Sequence, residues 1–228
     1  MKLLLFDIDG TLLLSGGASR VALNRAFSHV FGYENGLQDV SMMGRTDPLI
    51  MKEVLDRHDL PWDENRMKTF QQVYYQFLEQ EMQNPETVKT RLPGIDRLLE
   101  ILSKDEAFVL GVLTGNWEHG ATIKLRHFNL QHYFQLGAYA SDEAERHKLV
   151  PVALKKFEQR FQQTILPDNV YVIGDTPLDI IAARPHGVRT VAVATGYHDK
   201  ESIQKENPDI IYDNFSDIEQ VVSYFRNS

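Results

Sequence analysis

Three short apolar runs constrain this chain more than any other feature. Residues 2–8, 108–113 and 170–173 are almost continuously apolar, and each stops at a turn rich in Asp, Gly, Thr or Asn. Runs of this length bounded by turn residues read as buried strands rather than helices. Helical patterns follow the later two, so the order strand, turn, helix repeats. Residues 189–194, ending at Thr195 and Gly196, are a further strand candidate, and Ile210-Ile211 a short last one. Strands alternating with helices indicate parallel βαβ units. The expectation is an α/β fold with a Rossmann-like parallel sheet.

The interval after the first strand departs from that alternation. Ala22, Leu23, Ala26, Phe27, Val30 and Phe31 form one apolar stripe, closed by Gly32. Asp47-Pro48 reads as an N-cap with proline at the first helical position, opening a helix with Leu49, Ile50, Val54 and Leu55 inside. Met67, Phe70, Val73, Tyr74, Phe77, Leu78 and Met82 recur at helical spacing along a third helix, where the aromatic residues read as core. Boundaries fall at Ser15-Gly16-Gly17 and across residues 84–93. The 228 residues are long for one domain and short for two. They divide into an α/β core of residues 1–14 and 88–228, interrupted by an all-helical cap of residues 15–87.

Composition narrows the function. Lys and Arg number 24 against 32 Asp and Glu, a formal charge of −8, which disfavours a basic surface for nucleic acid or anionic membrane. No apolar run approaches the roughly 18 to 20 residues of a membrane span. The absence of cysteine removes disulfides, thiolate metal sites and thiol nucleophiles, and fits a reducing cytoplasm.

Open α/β sheets gather ligands beyond the carboxyl ends of their parallel strands. Those ends display Asp7-Ile8-Asp9-Gly10-Thr11, Thr114-Gly115-Asn116, and Gly174-Asp175 through Asp179. Four carboxylates converging on one partly buried cleft cannot all stay ionised without a cation among them. An all-oxygen donor set without His or Cys points to a hard ion, Mg²⁺ above all.

Asp7-Ile8-Asp9-Gly10-Thr11-Leu12, the apolar strand ending in Thr114, Lys148, and the segment from Gly174-Asp175 to Asp179 resemble, in order, the four motifs of the haloacid dehalogenase superfamily of phosphohydrolases. The resemblance spans residues 3–195. The helical insert resembles the cap of the subfamily that includes phosphoglycolate phosphatases and β-phosphoglucomutases. The resemblance implies Asp7 as the nucleophile that forms an aspartyl-phosphate, and Asp9 as the acid for the leaving alcohol and base for water. It implies Thr114 and Lys148 on the transferring phosphoryl group, with backbone N–H groups of Ile8, Gly10, Gly115 and Asn116 adding phosphate contacts. Mg²⁺ would be held by Asp7, the backbone carbonyl of Asp9, and Asp175, with Asp179 binding it or orienting its waters. An acid two residues after the nucleophile favours phosphatase chemistry over halide displacement, which needs neither a general acid nor a metal.

The third motif matches least well. Lys148-Leu149-Val150-Pro151 keeps only the second of two prolines that relatives often show, and Arg146 lies two residues away as the alternative cation. Lys148 is preferred because Pro151 and Leu154 fall at the expected offsets. Arg184-Pro185-His186 replaces small residues after the fourth motif, and Pro185 should end that helix early. Gly44-Arg45-Thr46-Asp47 opens a cap helix, and Arg45 would suit a second anionic group on the substrate. His119 reads as structural or solvent-exposed.

The expected activity is therefore a Mg²⁺-dependent phosphatase acting on a small phosphorylated metabolite such as a phosphoglycolate-like monoester. A phosphomutase is the nearest rival, because the motif residues cannot separate transfer to water from transfer to a second hydroxyl. A catalytically silent phosphate-binding or interaction protein is the rival outside enzymes. Monomer and homodimer are equally compatible with the amphipathic cap helices.

Overall fold

In a computed structural model of residues 1–228 the chain forms a six-stranded parallel sheet flanked by helices and overlaid by a helical cap. The sheet strands are β1 (Lys2–Phe6), β4 (Phe108–Thr114), β5 (Leu136–Tyr139), β6 (Val170–Gly174), β7 (Arg189–Val193) and β8 (Ile210–Tyr212). Their spatial order is β5-β4-β1-β6-β7-β8, the doubly wound arrangement in which the first strand is central and the direction of winding reverses beside it. β1 pairs with both neighbours, Phe6 lying opposite Val112 of β4 and Ile173 of β6. The first strand therefore delivers Asp7 to the middle of the sheet's carboxyl edge.

Alternation along the strands sorts their side chains between two helical layers. Leu4, Phe6, Leu110, Val112, Tyr171 and Ile173 pack on one face with α4 (Ile95–Ser103), α5 (Glu118–His127) and α9 (Ile218–Asn227). Leu3, Leu5, Val109, Leu113, Val170 and Val172 pack on the other with α6 (Leu149–Phe161). Burial on both faces is why the runs in the sequence are continuous rather than alternating. Helices α7 (Pro177–Ala183) and α8 (Lys200–Gln204) complete the flanks. Pro185 ends α7 as expected, in a 3-10 turn over Arg184–His186.

The cap consists of α1 (Ala18–Phe31), α2 (Asp47–Arg57) and α3 (Glu64–Gln83), each close to its expected place. Gly32 ends α1 in the left-handed conformation, with φ 81°, and returns its N–H to the Ser28 carbonyl. Asp63 caps α3 by accepting from the N–H of Arg66 at 2.7 Å. Phe70 and Tyr74 are fully buried in the cap core, which also takes in Trp117 and Ile123 from the α5 region. The cap thus shares its core with one helix of the α/β layer. Its two connections are joined by a short antiparallel pair, β2 (Leu13–Leu14) with β3 (Thr90–Arg91), whose two-residue strands carry no periodic signal.

One local expectation is corrected. Asp47 is not the N-cap of α2: Thr46 occupies that position and Asp47 is the first helical residue. The Asp47 carboxylate instead accepts from the backbone N–H of Trp117 at 2.8 Å, across the cap and core boundary. No helix is long and apolar enough to cross a membrane.

Candidate active site

The carboxyl ends of β1, β4 and β6 bring together Asp7, Thr114 and Asp175, as expected from residues placed immediately at strand ends. Carboxylate oxygens of Asp7, Asp175 and Asp179 lie within 4.8 Å of one another, all three residues buried. Gly10 makes this approach possible. Its φ of 84° is left-handed, and a Cβ there would lie 2.2 Å from Oδ2 of Asp175. Thr11 donates to Oδ1 of Asp175 at 3.1 Å, and Asp179 accepts from both the N–H and the hydroxyl of Thr176, at 3.0 and 2.7 Å. Asp179 is therefore a structural anchor of the turn as well as a member of the cluster.

Of the two candidate cations, the structure places Arg146 and not the preferred Lys148 beside the acids. Lys148 is half exposed and pairs with Glu145 at 3.0 Å, outside the cluster. Arg146 is buried, with its guanidinium 3.2 Å from Asp7 and hydrogen-bonded to Asp179. The two residues share one 3-10 turn, Arg146–Lys148, and two steps around three residues per turn send their side chains in different directions.

One guanidinium faces three carboxylates, which leaves two negative charges uncompensated when all three ionise. Burial pushes the Asp7 carboxyl up to about 6; Arg146 opposes the rise, Asp179 and Asp9 add to it, and the Ile8 backbone N–H eases it. Burial, followed by the charges of Asp179 and Asp7, raises Asp175 well above its ordinary range. Burial disfavours the Arg146 cation, but Asp179 and Asp7 outweigh it and hold the guanidinium charged. A buried, all-oxygen group with excess negative charge fits a hard divalent cation.

A second buried network was not anticipated from the sequence. Lys124, only 1 % exposed, extends from α5 to Oδ2 of Asp9 at 2.5 Å and to Oδ1 of Asn116 at 2.6 Å. The Asn116 amide donates in turn to Oδ2 of Asp9 at 2.9 Å and to Oγ1 of Thr114 at 2.8 Å. The available signal was a lysine on the apolar face of a helix, three residues after buried Ala121. Backbone donors are correspondingly committed. The Asn116 N–H points to Thr114 Oγ1 at 3.3 Å and the Gly10 N–H to the Leu13 carbonyl at 2.9 Å, so each already has a partner within the protein.

The cap turn 44–47 docks directly against these loops. The Asp47 N–H donates to the Gly115 carbonyl at 2.7 Å, the Thr46 hydroxyl to the Ala144 carbonyl at 2.6 Å, and Arg146 to the Gly44 carbonyl at 3.2 Å. Gly115 is required by this closeness, since a Cβ would lie 2.2 Å from the Arg45 carbonyl oxygen. Arg45 borders the cavity, but its guanidinium is tied to Glu53 and to the carbonyls of Ser41 and Leu49. The expected recruitment of Arg45 by a substrate anion would require breaking that ion pair. Between cap and core lies a cavity of about 460 Å³, lined by Asp7, Asp9, Thr114, Lys124 and Arg146 on the core side and by Ser19, Arg20 and Met42 on the cap side.

Known proteins resemble this chain along most of its length. A phosphoglycolate phosphatase of Haemophilus influenzae is 27% identical over 222 residues, covering 95% of this chain and 96% of the relative. A phosphoglycolate phosphatase of Aquifex aeolicus is 27% identical over 199 residues, 86% of each chain. The crystal structure of a hydrolase from Pseudomonas syringae superposes with a TM-score of 0.75 at 21% identity, over 98% of this chain and 99% of that one, and so shares the fold. Residues 4–193 match the family description of haloacid dehalogenase-like hydrolases, a span that includes both acid clusters and the cap between them. The chain belongs to the haloacid dehalogenase-like hydrolase family.

Proposed function

We propose that the protein is a Mg²⁺-dependent phosphatase of small phosphorylated metabolites that works through an aspartyl-phosphate on Asp7. The observation that carries this reading is the pairing of Asp7 with Arg146 beside Asp175 and Asp179, with Asp9 two residues on at the edge of the same cavity. An Asp7 oxygen attacks phosphorus as the ester P–O bond breaks, and Asp9 gives its proton to the departing oxygen. Water then attacks the same phosphorus while Asp9 takes a proton from it, the bond between phosphorus and the Asp7 oxygen breaks, and inorganic phosphate leaves.

Arg146 replaces the expected lysine as the cation on the phosphoryl group. Its Nε is buried without a hydrogen-bond partner, and its side chain borders the cavity. Thr114 Oγ1 accepts from Asn116, so its own hydroxyl proton is free to be donated. Mg²⁺ would be held by Asp7, Asp175 and the backbone carbonyl of Asp9, with Asp179 supporting from behind, and would supply charge neutralisation between the carboxylates and the phosphate dianion.

Residues 15–87 are read as the cap that excludes bulk water from these steps. The phosphoglycolate phosphatases among the relatives support a small, phosphoglycolate-like monoester as the substrate class. A cytoplasmic setting fits the absence of cysteine.

The test is phosphate release from a panel of phosphorylated metabolites, with Mg²⁺ or with chelator. Hexose 1-phosphates belong in the panel with product analysis, because a mutase would return hexose 6-phosphate in place of inorganic phosphate. Asp7→Asn should be inactive on every substrate the wild type accepts. Wild-type turnover by that variant would overturn the assignment of the nucleophile.

A further inference from the structure

We infer that Lys124 is a positioning residue for Asp9, which it holds with one carboxylate oxygen turned toward the leaving group. The inference rests on the proposed acid and base role of Asp9. Both donors that reach the Asp9 side chain, Nζ of Lys124 at 2.5 Å and Nδ2 of Asn116 at 2.9 Å, converge on the same oxygen, Oδ2. Oδ1 is left without a protein partner, on a side chain that is 39% exposed to the cavity. A proton carried by Asp9 is therefore carried on Oδ1, and the clamp on Oδ2 sets where that oxygen points.

Burying an ammonium group costs free energy unless it is paired and hydrogen-bonded. Lys124 spends its hydrogen bonds on Asp9 and on the amide that also touches Asp9 and Thr114, so the pairing is concentrated on the site. The cap contributes to the same arrangement. Asp47, anchored to the Trp117 N–H, brings a buried carboxylate whose charge is felt by Lys124 only while the 44–47 turn is docked. Docking of the cap and orientation of Asp9 thus meet at one lysine.

A group that orients Asp9 matters most where the leaving oxygen needs a proton. An alkyl phosphate expels an alkoxide, whereas p-nitrophenyl phosphate expels a phenolate stable without protonation. Positioned proton transfer contributes about 10²–10⁴-fold, and a displacement of about 1 Å can cost on the order of 100-fold. Hydrolysis of the aspartyl-phosphate also uses Asp9 and is common to both esters, so the selectivity is read in kcat/KM, which ends at the leaving-group step. Lys124→Met should lower kcat/KM on an alkyl phosphate roughly 10- to 100-fold while changing kcat/KM on p-nitrophenyl phosphate by less than about threefold. Asp9→Asn should show the same selectivity, and the double variant should be no slower than Asp9→Asn alone. If Lys124→Met does not fold, Lys124→Gln, which keeps a donor in the same slot, should show the pattern more weakly.

The crystal structure of the Lys124 variant supplies a readout independent of turnover: the Asp9 side chain should leave its wild-type rotamer. An unmoved Asp9, equal losses of kcat/KM on both esters, or additive losses in the double variant would overturn the proposal. Absence of wild-type turnover on every ester would instead overturn the phosphatase reading, and the position of Asp9 would still decide whether Lys124 orients it.

Discussion

The guanidinium of Arg146 lies 3.2 Å from the carboxylate of Asp7, each side chain only 8% exposed. The ion pair joins a residue at the end of the first strand to one in a 3-10 turn far along the chain. Its partner Asp179 lies in the first turn of α7, after the fourth core strand, so one arginine ties together three segments that are distant in the chain.

Arg146→Ala should lower kcat by roughly 100- to 1000-fold, the cost of removing one preorganised donor to developing charge. Lys148→Ala, which removes only exposed pairs with Glu145 and Glu143, should stay within about twofold of wild type. Steady-state kinetics on one accepted ester decides between them. The reverse ranking would restore Lys148 to the site.

Mg²⁺ should raise the melting temperature of the wild-type protein, because burial and mutual repulsion burden Asp7 and Asp175 until a cation relieves them. At 100 times its Kd a bound ion adds about 2.7 kcal/mol of stability. Asp175→Asn should lose most of that response, measured by differential scanning calorimetry with Mg²⁺ and with chelator. An unchanged response in the variant would remove Asp175 from the metal site.

Asp47 gives a pH signature of cap docking. Burial pushes its carboxyl from 3.8 up to about 6, opposed by Lys124 and the Trp117 N–H, with Asp9 adding to the rise. The folded state therefore holds this proton to about pH 6 while the unfolded chain releases it near pH 4, so stability falls as pH rises through that window. The loss amounts to about 3 kcal/mol, since each tenfold difference in proton affinity between the two states is worth about 1.36 kcal/mol. Asp47→Asn keeps an acceptor for Trp117 and cannot ionise. Chemical denaturation at pH 4.5 and pH 7.5 should show the variant gaining on the wild type at the higher pH; an identical pH dependence in the two proteins would refute the raised affinity.

Gly115→Ala tests the docked cap by sterics alone. A Cβ 2.2 Å from the Arg45 carbonyl meets backbone, which cannot swing aside as a flexible side chain can. The variant should retain its far-ultraviolet circular dichroism while losing at least roughly tenfold in kcat/KM, the result of holding the 44–47 turn away from the core by a fraction of an ångström or more. Wild-type kinetics would mean that the cap works without this contact.

How much of the site could be read from the sequence depended on how local each feature is. Asp7 and Asp175 sit directly at the ends of apolar runs, so recognising the strand placed the acid. Gly32 and Pro185 acted within one or two residues of themselves and ended their helices where expected. β5, with Leu136 and Tyr139 only half buried at the sheet edge, lacks the continuous apolar run that marked the central strands. The β2 and β3 strands have two residues each, too few for any period to register. Asp47 has the composition of an N-cap, and only the nearness of the Trp117 N–H shows where its carboxylate is spent.

The sequence by itself determined the architecture and the acidic centre: a parallel sheet interrupted after its first strand by helices, with Asp7, Asp9 and Asp175 at the strand ends. Period, burial and strand-end placement are properties of neighbouring residues, and a single chain displays them. The tertiary structure alone decided which cation faces Asp7, where Lys124 is buried, and that Arg45 is already paired. Those outcomes depend on side-chain direction within a three-residue turn and on contacts such as Lys124 to Asp9, 115 residues apart, which exist only once the sheet and the cap have closed around them.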